Sequence, residues 1–348
     1  MTNQPIIEAV RALSKGLSAK TDIRKFLHLH RCDYLLTKTE DSAQKKERAL
    51  ARVVNSVAIK ERLKACAPLF SQSEIPYAVI KGAVLSQALY GDPLIRTSGD
   101  IDVLIRREDA DRTKQLLIAN GFVQGRVTDD GIVPFSRREL LFQAAMSHQT
   151  APYVKATGNS LCPYVNVDVN MDILWGESGE RTDMGFVLSH TEEGSLFNVS
   201  FQKLMPEMEF LALCLHHYKD MNSLYLLSSG SLRLGLFCEI YDYLQRVKPD
   251  ATHLRELCAK INVGRYVYVC LHQTQQFFED VCLNPYVEAL EPQKDDTLLN
   301  TFGLNEKERK PWKMDLLERL LHPNLAEYVQ EMLSDEEKEK IKINRELM

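Results

Sequence analysis

The residues whose types and spacing could do chemistry lie between Lys81 and Ile105. Lys81-Gly82-Ala83 is followed, after a short helical pattern, by Gly99-Asp100-Ile101-Asp102. Side chains alternate between the two faces of a strand, so the two aspartates share one face about 7 Å apart along the backbone. Adjacent carboxylates are hard oxygen ligands of the kind that Mg²⁺ binds. The segment therefore predicts a site for a divalent cation.

A second pair of aspartates has the same spacing but a different interpretation. Asp109 and Asp111 lie where a helix is predicted to begin. Acidic side chains are favoured at the positive end of the helix dipole, and they need no metal there. Of the two pairs, only Asp100 and Asp102, in a predicted strand that follows a glycine, are expected to bind metal.

The elements that must position these aspartates divide into three predicted regions. Residues 1–72 show the three-to-four spacing of apolar residues that is typical of helices. Residues 73–200 change to short strands and helices, with strand-like segments around Leu140 to Ala145 and from Val165 to Leu174. Residues 201–348 are again helical in pattern. The fold class expected is α+β, with a mixed sheet flanked by helical N-terminal and C-terminal regions.

Composition and charge limit the function further. The chain of 348 residues is 45% hydrophobic and 26% charged, as expected of a globular protein with a sizeable core. Its 43 basic and 48 acidic residues give a formal net charge of −5, so a polynucleotide substrate is not favoured. No apolar run is long enough to span a bilayer, and Met1 to Lys20 lacks the apolar core of a signal peptide. A cytoplasmic location without membrane contact is expected.

Two other motif classes are not supported. The eight cysteines are scattered, without a C-x-x-C pair or the spacing of a zinc site, so reduced and buried thiols are expected. Gly230 and Gly235 have the glycine spacing of a P-loop, but Leu236 and Phe237 follow where that loop requires lysine and then serine or threonine. A P-loop is therefore rejected.

Several short motifs together resemble one family. They are Lys81-Gly82, Tyr90-Gly91-Asp92-Pro93, Arg96, Gly99-Asp100-Ile101-Asp102-Val103-Leu104, the helix end from Leu116 to Phe122, and Met171-Asp172-Ile173-Leu174-Trp175. The chain is similar to the uncharacterised nucleotidyltransferase family of the polymerase β-like superfamily. The similarity covers residues 75–175 well and the helices near 211–244 more loosely.

The resemblance implies a nucleotidyltransferase core and a two-metal site. In that arrangement Asp100 and Asp102 hold both Mg²⁺ ions, for which Mn²⁺ could substitute, and a third carboxylate holds the ion that activates the attacking hydroxyl. Resemblance places the third carboxylate at Asp172, with Asp168 on the same strand as the alternative. Two metal ions about 4 Å apart are suited to this chemistry, since they stabilise the negative charge of the transferred phosphoryl group.

The resemblance also implies a binding site for a nucleoside triphosphate. The backbone amides of Gly82 and Ala83 are expected to contact the phosphates, although Ala83 stands where related sequences carry serine. Lys81 and Arg96 are candidate phosphate ligands, but Lys81 could extend from a strand end to solvent. Arg96 could instead pair with Asp92.

Two further positions bear on the expected site. Lys219 is another candidate for phosphate contact, with the alternative that it and its basic neighbours simply stabilise a helix C-terminus. Leu174 stands where related sequences tend to carry histidine, so the strand that supplies the third carboxylate matches the family less closely.

These features predict a Mg²⁺-dependent nucleotidyltransferase. It would move a nucleoside monophosphate, with ATP as the expected donor, to a hydroxyl of a small molecule, peptide or protein, and release pyrophosphate. One alternative is a degenerate core that acts in nucleotide sensing or protein interaction. Another is an antitoxin-like enzyme that nucleotidylates a partner protein.

Overall fold

The structure is a computed structural model, and it describes residues 23–36, 42–96 and 98–347. The predicted helical pattern that begins at Ile6 lies outside the described residues as far as position 22. The chain divides into two compact units, one built on Ser42–Glu209 and one on Phe210–Glu346 with the residues before 42. The unit boundaries expected from sequence were 72 and 200, whereas this division falls at 41 and 209.

The first unit, which we call the sheet unit, contains eight strands and five of the helices labelled here. In chain order they are α2 (Ser42–Gln72), β1 (Tyr77–Ile80), α3 (Gly82–Tyr90), β2 (Ile101–Ile105), α4 (Ala110–Ala119), β3 (Val123–Thr128), β4 (Gly131–Pro134), α5 (Arg137–Met146), β5 (Tyr153–Asn159), β6 (Cys162–Asn170), α6 (Met184–Leu188), β7 (Thr191–Leu196) and β8 (Val199–Leu204). Helix α1 (Ile23–Leu29) precedes this unit.

The strands form one mixed sheet in the order β4-β3-β5-β6-β2-β1-β8-β7. The pairs β2 with β6 and β1 with β8 are parallel, and the other neighbours are antiparallel. Strand β2 therefore lies near the middle of the sheet, between β6 and β1. This mixed sheet with helices on either side of it in sequence confirms the predicted α+β class.

Helix α2 covers one face of the sheet, which explains why it belongs to the sheet unit. Its apolar residues, among them Leu63, Cys66 and Phe70, form one buried cluster with alternate residues of the central strands. Ile101 and Val103 of β2 lie in this cluster. Because side chains alternate along a strand, Asp100 and Asp102 lie on the opposite face. The sheet thus has one apolar face and one face that carries acidic residues.

One predicted strand is a helix. Residues 140–145 were expected to be strand-like, but they lie within α5. Ser136 caps this helix by accepting a hydrogen bond from the backbone of Glu139, whose side chain bonds back to the Ser136 amide. This capping box is a local sequence signal, Ser-x-x-Glu, that outweighs the short apolar run. A second difference is that residues 201–204, expected to be helical, form β8 of the sheet.

The second unit, the helical unit, is built mainly of helices. They are α7 (Pro206–Asn222), α8 (Leu224–Leu227), α9 (Leu234–Arg246), α10 (Ala251–Lys260), α11 (Gly264–Phe278), α12 (Asn284–Leu290), α13 (Asp296–Leu299), α14 (Leu316–Leu321), α15 (Leu325–Glu331) and α16 (Asp335–Leu347), with the short pair β9 (Thr301–Phe302) and β10 (Lys310–Pro311). Helix α7 begins in the sheet unit and continues into this one.

Two expectations from composition can be compared with the structure. All eight cysteines are free, and every one except the half-buried Cys282 is buried, as expected of thiols that pack as small apolar groups. Among the described residues, no helix combines the length and apolar character that a membrane span requires.

Candidate functional site

Asp102 is the centre of a buried polar group on the acidic face of the sheet. In the parallel pairing of β2 with β6, Asp102 lies directly beside Asp168. Its Oδ1 atom accepts hydrogen bonds from Lys81 Nζ at 3.0 Å and from Asn170 Nδ2 at 3.1 Å. Gln149 Nε2 in turn donates to Asn170 Oδ1 at 2.7 Å, which fixes the orientation of the Asn170 amide. Asp102 is therefore bonded by side chains from two segments of the chain, and Gln149 from a third segment orients one of them.

Asp100 is held from the turn that precedes β2. Ser98 Oγ lies 2.9 Å from the Asp100 carbonyl oxygen and within hydrogen-bonding distance of the Asp100 carboxylate, and it can donate its one proton to either. Arg62 of α2 donates to the Ser98 carbonyl, and its guanidinium interacts electrostatically with Asp100. Helix α2 thus both covers the apolar face and supports the turn that presents Asp100.

Asp168 is the third carboxylate of this group, which we call the acidic cluster (Asp100, Asp102 and Asp168). Burial, followed by the charges of Asp100 and Asp102, raises the pKa of Asp168 to about 7, while Lys81 acts in the opposite direction. Three acidic groups whose charges affect one another in a partly buried position create a strong local attraction for cations.

Asp172 lies elsewhere. The residue of β6 beside Asp102 is Asp168, and β6 ends at Asn170, two residues before Asp172. The Asp172 carboxylate accepts hydrogen bonds from Thr182 Oγ1 at 2.6 Å and from the backbone amides of Leu174 and Thr182. Burial raises its pKa, and the cation that acts on it is Arg107. The structure therefore brings Asp168, rather than Asp172, together with Asp100 and Asp102.

The surroundings of Asp172 explain this difference. Its hydrogen bonds hold the segment between β6 and α6, and the neighbouring Leu174 and Trp175 are each 2% exposed. Leu174, which departs from the family pattern, is thus a core residue. The strand beside β2 is β6, and its register places Asp168 next to Asp102.

Lys81 and Gly82 form a sharp turn between β1 and α3. Both have positive φ angles, 57° for Lys81 and 44° for Gly82. Lys81, with ψ of −150°, occupies a sparsely populated backbone region for a residue with a side chain. The turn directs the first N–H groups of α3, those of Gly82 and Ala83, out of the helix end without intrahelical acceptors. Such groups are suited to bind anions.

Two other predicted phosphate ligands are in different surroundings. The Arg96 amide donates to Ser86 Oγ at 3.1 Å, which anchors the loop after α3. Asp92, its alternative partner in the sequence analysis, is bound by Arg52 at 2.8 Å. Lys219 belongs to the helical unit and lies in the last turn of α7, so its contact with a triphosphate remains a prediction.

The residues that sequence reasoning missed are Arg62, Ser98, Gln149 and Asn170. Asn170 and Ser98 lie close in sequence to predicted ligands, so a search for polar neighbours of the aspartates could have found them. Arg62 and Gln149 reach the site from distant segments, and no local signal in the sequence identifies them.

The carboxylates of the acidic cluster can be compared with the ligands that a divalent metal ion needs. Among the described residues, no set of three or more His, Cys, Asp or Glu side chains is arranged to hold a metal by itself. Mg²⁺ usually keeps several waters and binds to one or two carboxylates together with substrate phosphates. Asp100 and Asp102 are carboxylates of this kind, and their charges contribute, after burial, to the raised pKa of Asp168.

The chain is similar to a solved structure and to a protein-family model. The crystal structure of an antigenic nucleotidyltransferase-like protein from Paracoccidioides brasiliensis is similar at 18% identity, with a TM-score of 0.36, over 72% of this chain and 95% of that one. No curated protein matches the sequence significantly. A sequence model described as "Uncharacterised nucleotidyltransferase" matches residues 35–279, which is more than half of the chain. The chain therefore belongs to the uncharacterised nucleotidyltransferase family.

Proposed function

We propose that this protein is a divalent-metal-dependent nucleotidyltransferase that transfers a nucleoside monophosphate from a nucleoside triphosphate to a hydroxyl group. The observation that carries the proposal is the acidic cluster, in which Asp102 and Asp168 are direct neighbours on parallel strands and Asp100 shares their electrostatic environment. The cluster lies beside a turn whose lysine contacts Asp102 and whose helix offers unpaired N–H groups.

The carboxylates have separate roles in this proposal. Asp100 and Asp102 would hold Mg²⁺ or Mn²⁺, and Asp168 replaces Asp172 as the third ligand. The metal ions would supply charge stabilisation at the transferred phosphoryl group. Asp168, as the carboxylate that would ligate the ion on the side of the attacking hydroxyl, is the proposed acceptor of that hydroxyl's proton. The acceptor oxygen then bonds to the α-phosphorus, and the bond from that phosphorus to the pyrophosphate oxygen breaks.

The phosphates would be bound at the start of α3. The N–H groups of Gly82 and Ala83 provide hydrogen bonds without a side-chain hydroxyl at position 83. Lys81 and Arg96 are the proposed cationic ligands of the triphosphate. Lys219 of the helical unit is a further proposed contact. ATP is the proposed donor, and a small molecule, a peptide or a protein the proposed acceptor, because the net charge of −5 disfavours a polynucleotide. A cytoplasmic location is proposed as well.

The test uses the full chain with labelled nucleoside triphosphates and Mg²⁺ or Mn²⁺. Asp100→Ala, Asp102→Ala and Asp168→Asn should each reduce metal-dependent nucleotide binding by at least tenfold, since each removes a carboxylate of the cluster. Asp172→Asn should retain this binding but lower the thermal stability, because it weakens buried hydrogen bonds to Thr182.

Asp111→Asn is the control, since Asp111 is an exposed aspartate at the start of α4. Nucleotide binding that needs Asp172 but not Asp168 would contradict the assignment of the third carboxylate. If neither metal-dependent binding nor transfer of label occurs with any donor, the enzyme proposal fails and the nucleotide-sensing or interaction module is favoured. Transfer of label to a co-purifying protein would indicate the antitoxin-like alternative.

A further inference from the structure

We infer that Lys81 is an exchangeable counter-ion, which Asp102 gives up when a divalent metal binds and which then pairs with the triphosphate. This inference rests on the proposed function and adds to it a physical reason for the metal and the nucleotide to bind together. Lys81 thereby becomes a positioning residue with two alternative partners.

The first step of the argument is that Lys81 and a metal ion compete for the same oxygen. Asp102 Oδ1 already accepts hydrogen bonds from Lys81 Nζ at 3.0 Å and from Asn170 Nδ2 at 3.1 Å. The two charged side chains are largely buried, with 23% of the Lys81 side chain and 11% of the Asp102 side chain exposed. A cation that coordinates this oxygen must displace the lysine ammonium, because two positive charges at hydrogen-bonding distance from one oxygen repel each other.

The second step is that the displaced ammonium has a nearby destination. Lys81 is the residue that immediately precedes α3, so its backbone lies beside the N–H groups of Gly82 and Ala83. An anion bound at those groups would lie within reach of the four-carbon side chain of Lys81.

The third step concerns the balance of charge. The acidic cluster contains three carboxylates, and Lys81 is a cation that acts on Asp168 as well as on Asp102. A metal ion alone must overcome the cost of removing Lys81 from the cluster. When a triphosphate is also bound, Lys81 gains a new anionic partner and this cost is offset. Metal and triphosphate should therefore each increase the affinity for the other by the same factor.

The test measures Mn²⁺ binding by electron paramagnetic resonance, with and without a non-hydrolysable ATP analogue. Lys81→Met should bind Mn²⁺ alone more tightly than the wild type, by about 5-fold to 150-fold, the usual range of coupling between two sites. It should also bind the analogue more weakly, and the mutual enhancement should be smaller than in the wild type, because only direct contact between Mn²⁺ and the phosphates remains. Lys81→Arg keeps the positive charge. In the absence of the analogue it should bind Mn²⁺ as weakly as the wild type does.

A matched control is Lys203→Met. Lys203 pairs with Glu192 across the hairpin of β7 and β8, and 24% of its side chain is exposed, close to the value for Lys81. Lys203→Met removes a similar ion pair from the same sheet. Because Glu192 is not part of the acidic cluster, this variant should leave Mn²⁺ binding unchanged. Circular dichroism establishes that each variant is folded, and Lys81→Gln serves as a second neutral variant if Lys81→Met does not fold.

The outcomes separate the two proposals. In one outcome the wild type binds Mn²⁺ in the presence of the nucleotide, but without nucleotide the neutral variants bind Mn²⁺ no more tightly than the wild type does. This outcome overturns the exchange of Lys81 and leaves the proposed function standing. If no form binds Mn²⁺ with or without nucleotide, the proposed function fails and the exchange fails with it. Tighter binding of Mn²⁺ by Lys203→Met would overturn the specific role of Lys81.

Discussion

Asp168 links the chemistry of the acidic cluster to the stability of the sheet unit. A carboxyl in contact with water has a pKa near 3.9, whereas burial and the neighbouring aspartates raise the pKa of Asp168 to about 7. Between these two values the folded state binds a proton that the unfolded state has lost. The contribution of Asp168 to stability therefore falls as the pH rises from about 4 to about 7, and it levels off above that range.

We expect Asp168→Asn to remove this pH dependence. Asparagine has a similar shape but no charge, so the midpoint of thermal unfolding of the variant should rise relative to wild type as the pH increases from 4.5 to 8. The measurement is the difference between the two unfolding midpoints at each pH. Asp111→Asn, at an exposed position, should give a difference that hardly changes over the same range. Parallel curves for wild type and Asp168→Asn would show that Asp168 is not perturbed.

At the scale of the element, the start of α3 combines a strained turn with free N–H groups. Gly82 has a φ of 44°, in the left-handed region, and a Cβ atom at this position would make ordinary contact with Ser98 at 3.5 Å. The obstacle to a side chain is therefore conformational rather than steric. A residue with a Cβ atom costs about 1–2 kcal/mol in this backbone region.

We expect Gly82→Ala to lower the free energy of unfolding by about 1–2 kcal/mol. It should also weaken binding of the nucleoside triphosphate, because relief of the strain moves the first amides of α3. Gly99→Ala is the matched control, since Gly99 has no positive φ and a Cβ there would meet nothing within 4 Å. Urea unfolding and nucleotide titration measure the two effects. Equal behaviour of the two variants would contradict a special role for the Gly82 turn.

At the scale of the whole molecule, the sheet unit has a core of its own. Every residue of the buried cluster between α2 and the sheet lies from Ala58 to Phe201, within Ser42–Glu209. The helical unit, by contrast, combines Phe210–Glu346 with residues before 42. A continuous segment with its own hydrophobic core is expected to fold by itself.

We expect a fragment of residues 42–209 to be folded and to unfold in one cooperative thermal transition. A fragment of residues 73–200, which follows the boundaries expected from sequence, should not fold cooperatively. It lacks α2, so the apolar face of the sheet, including Val103 and Val167, would be exposed to water. Circular dichroism and thermal unfolding distinguish the two fragments. A cooperative transition in the shorter fragment would contradict the assignment of α2 to this core.

Much of the arrangement follows from local sequence. The alternation of aspartates around Ile101 indicates a strand with one acidic face, and the glycine after Lys81 indicates a turn at a helix start. The capping box at Ser136 was also present in the sequence and specifies α5, although the apolar run after it favoured a strand. These features depend on residues a few positions apart, so the sequence alone determines them.

The tertiary structure decided which distant residues meet. Asp168 and Asp172 are equivalent by alternation in the predicted strand from Val165 to Leu174, whereas β6 ends at Asn170 and its pairing with β2 places Asp168 beside Asp102. The support of Asp100 by Arg62, through Ser98, depends on the packing of α2 against the sheet. Register and packing between segments far apart in sequence are set by the fit of whole apolar faces, which no local spacing encodes.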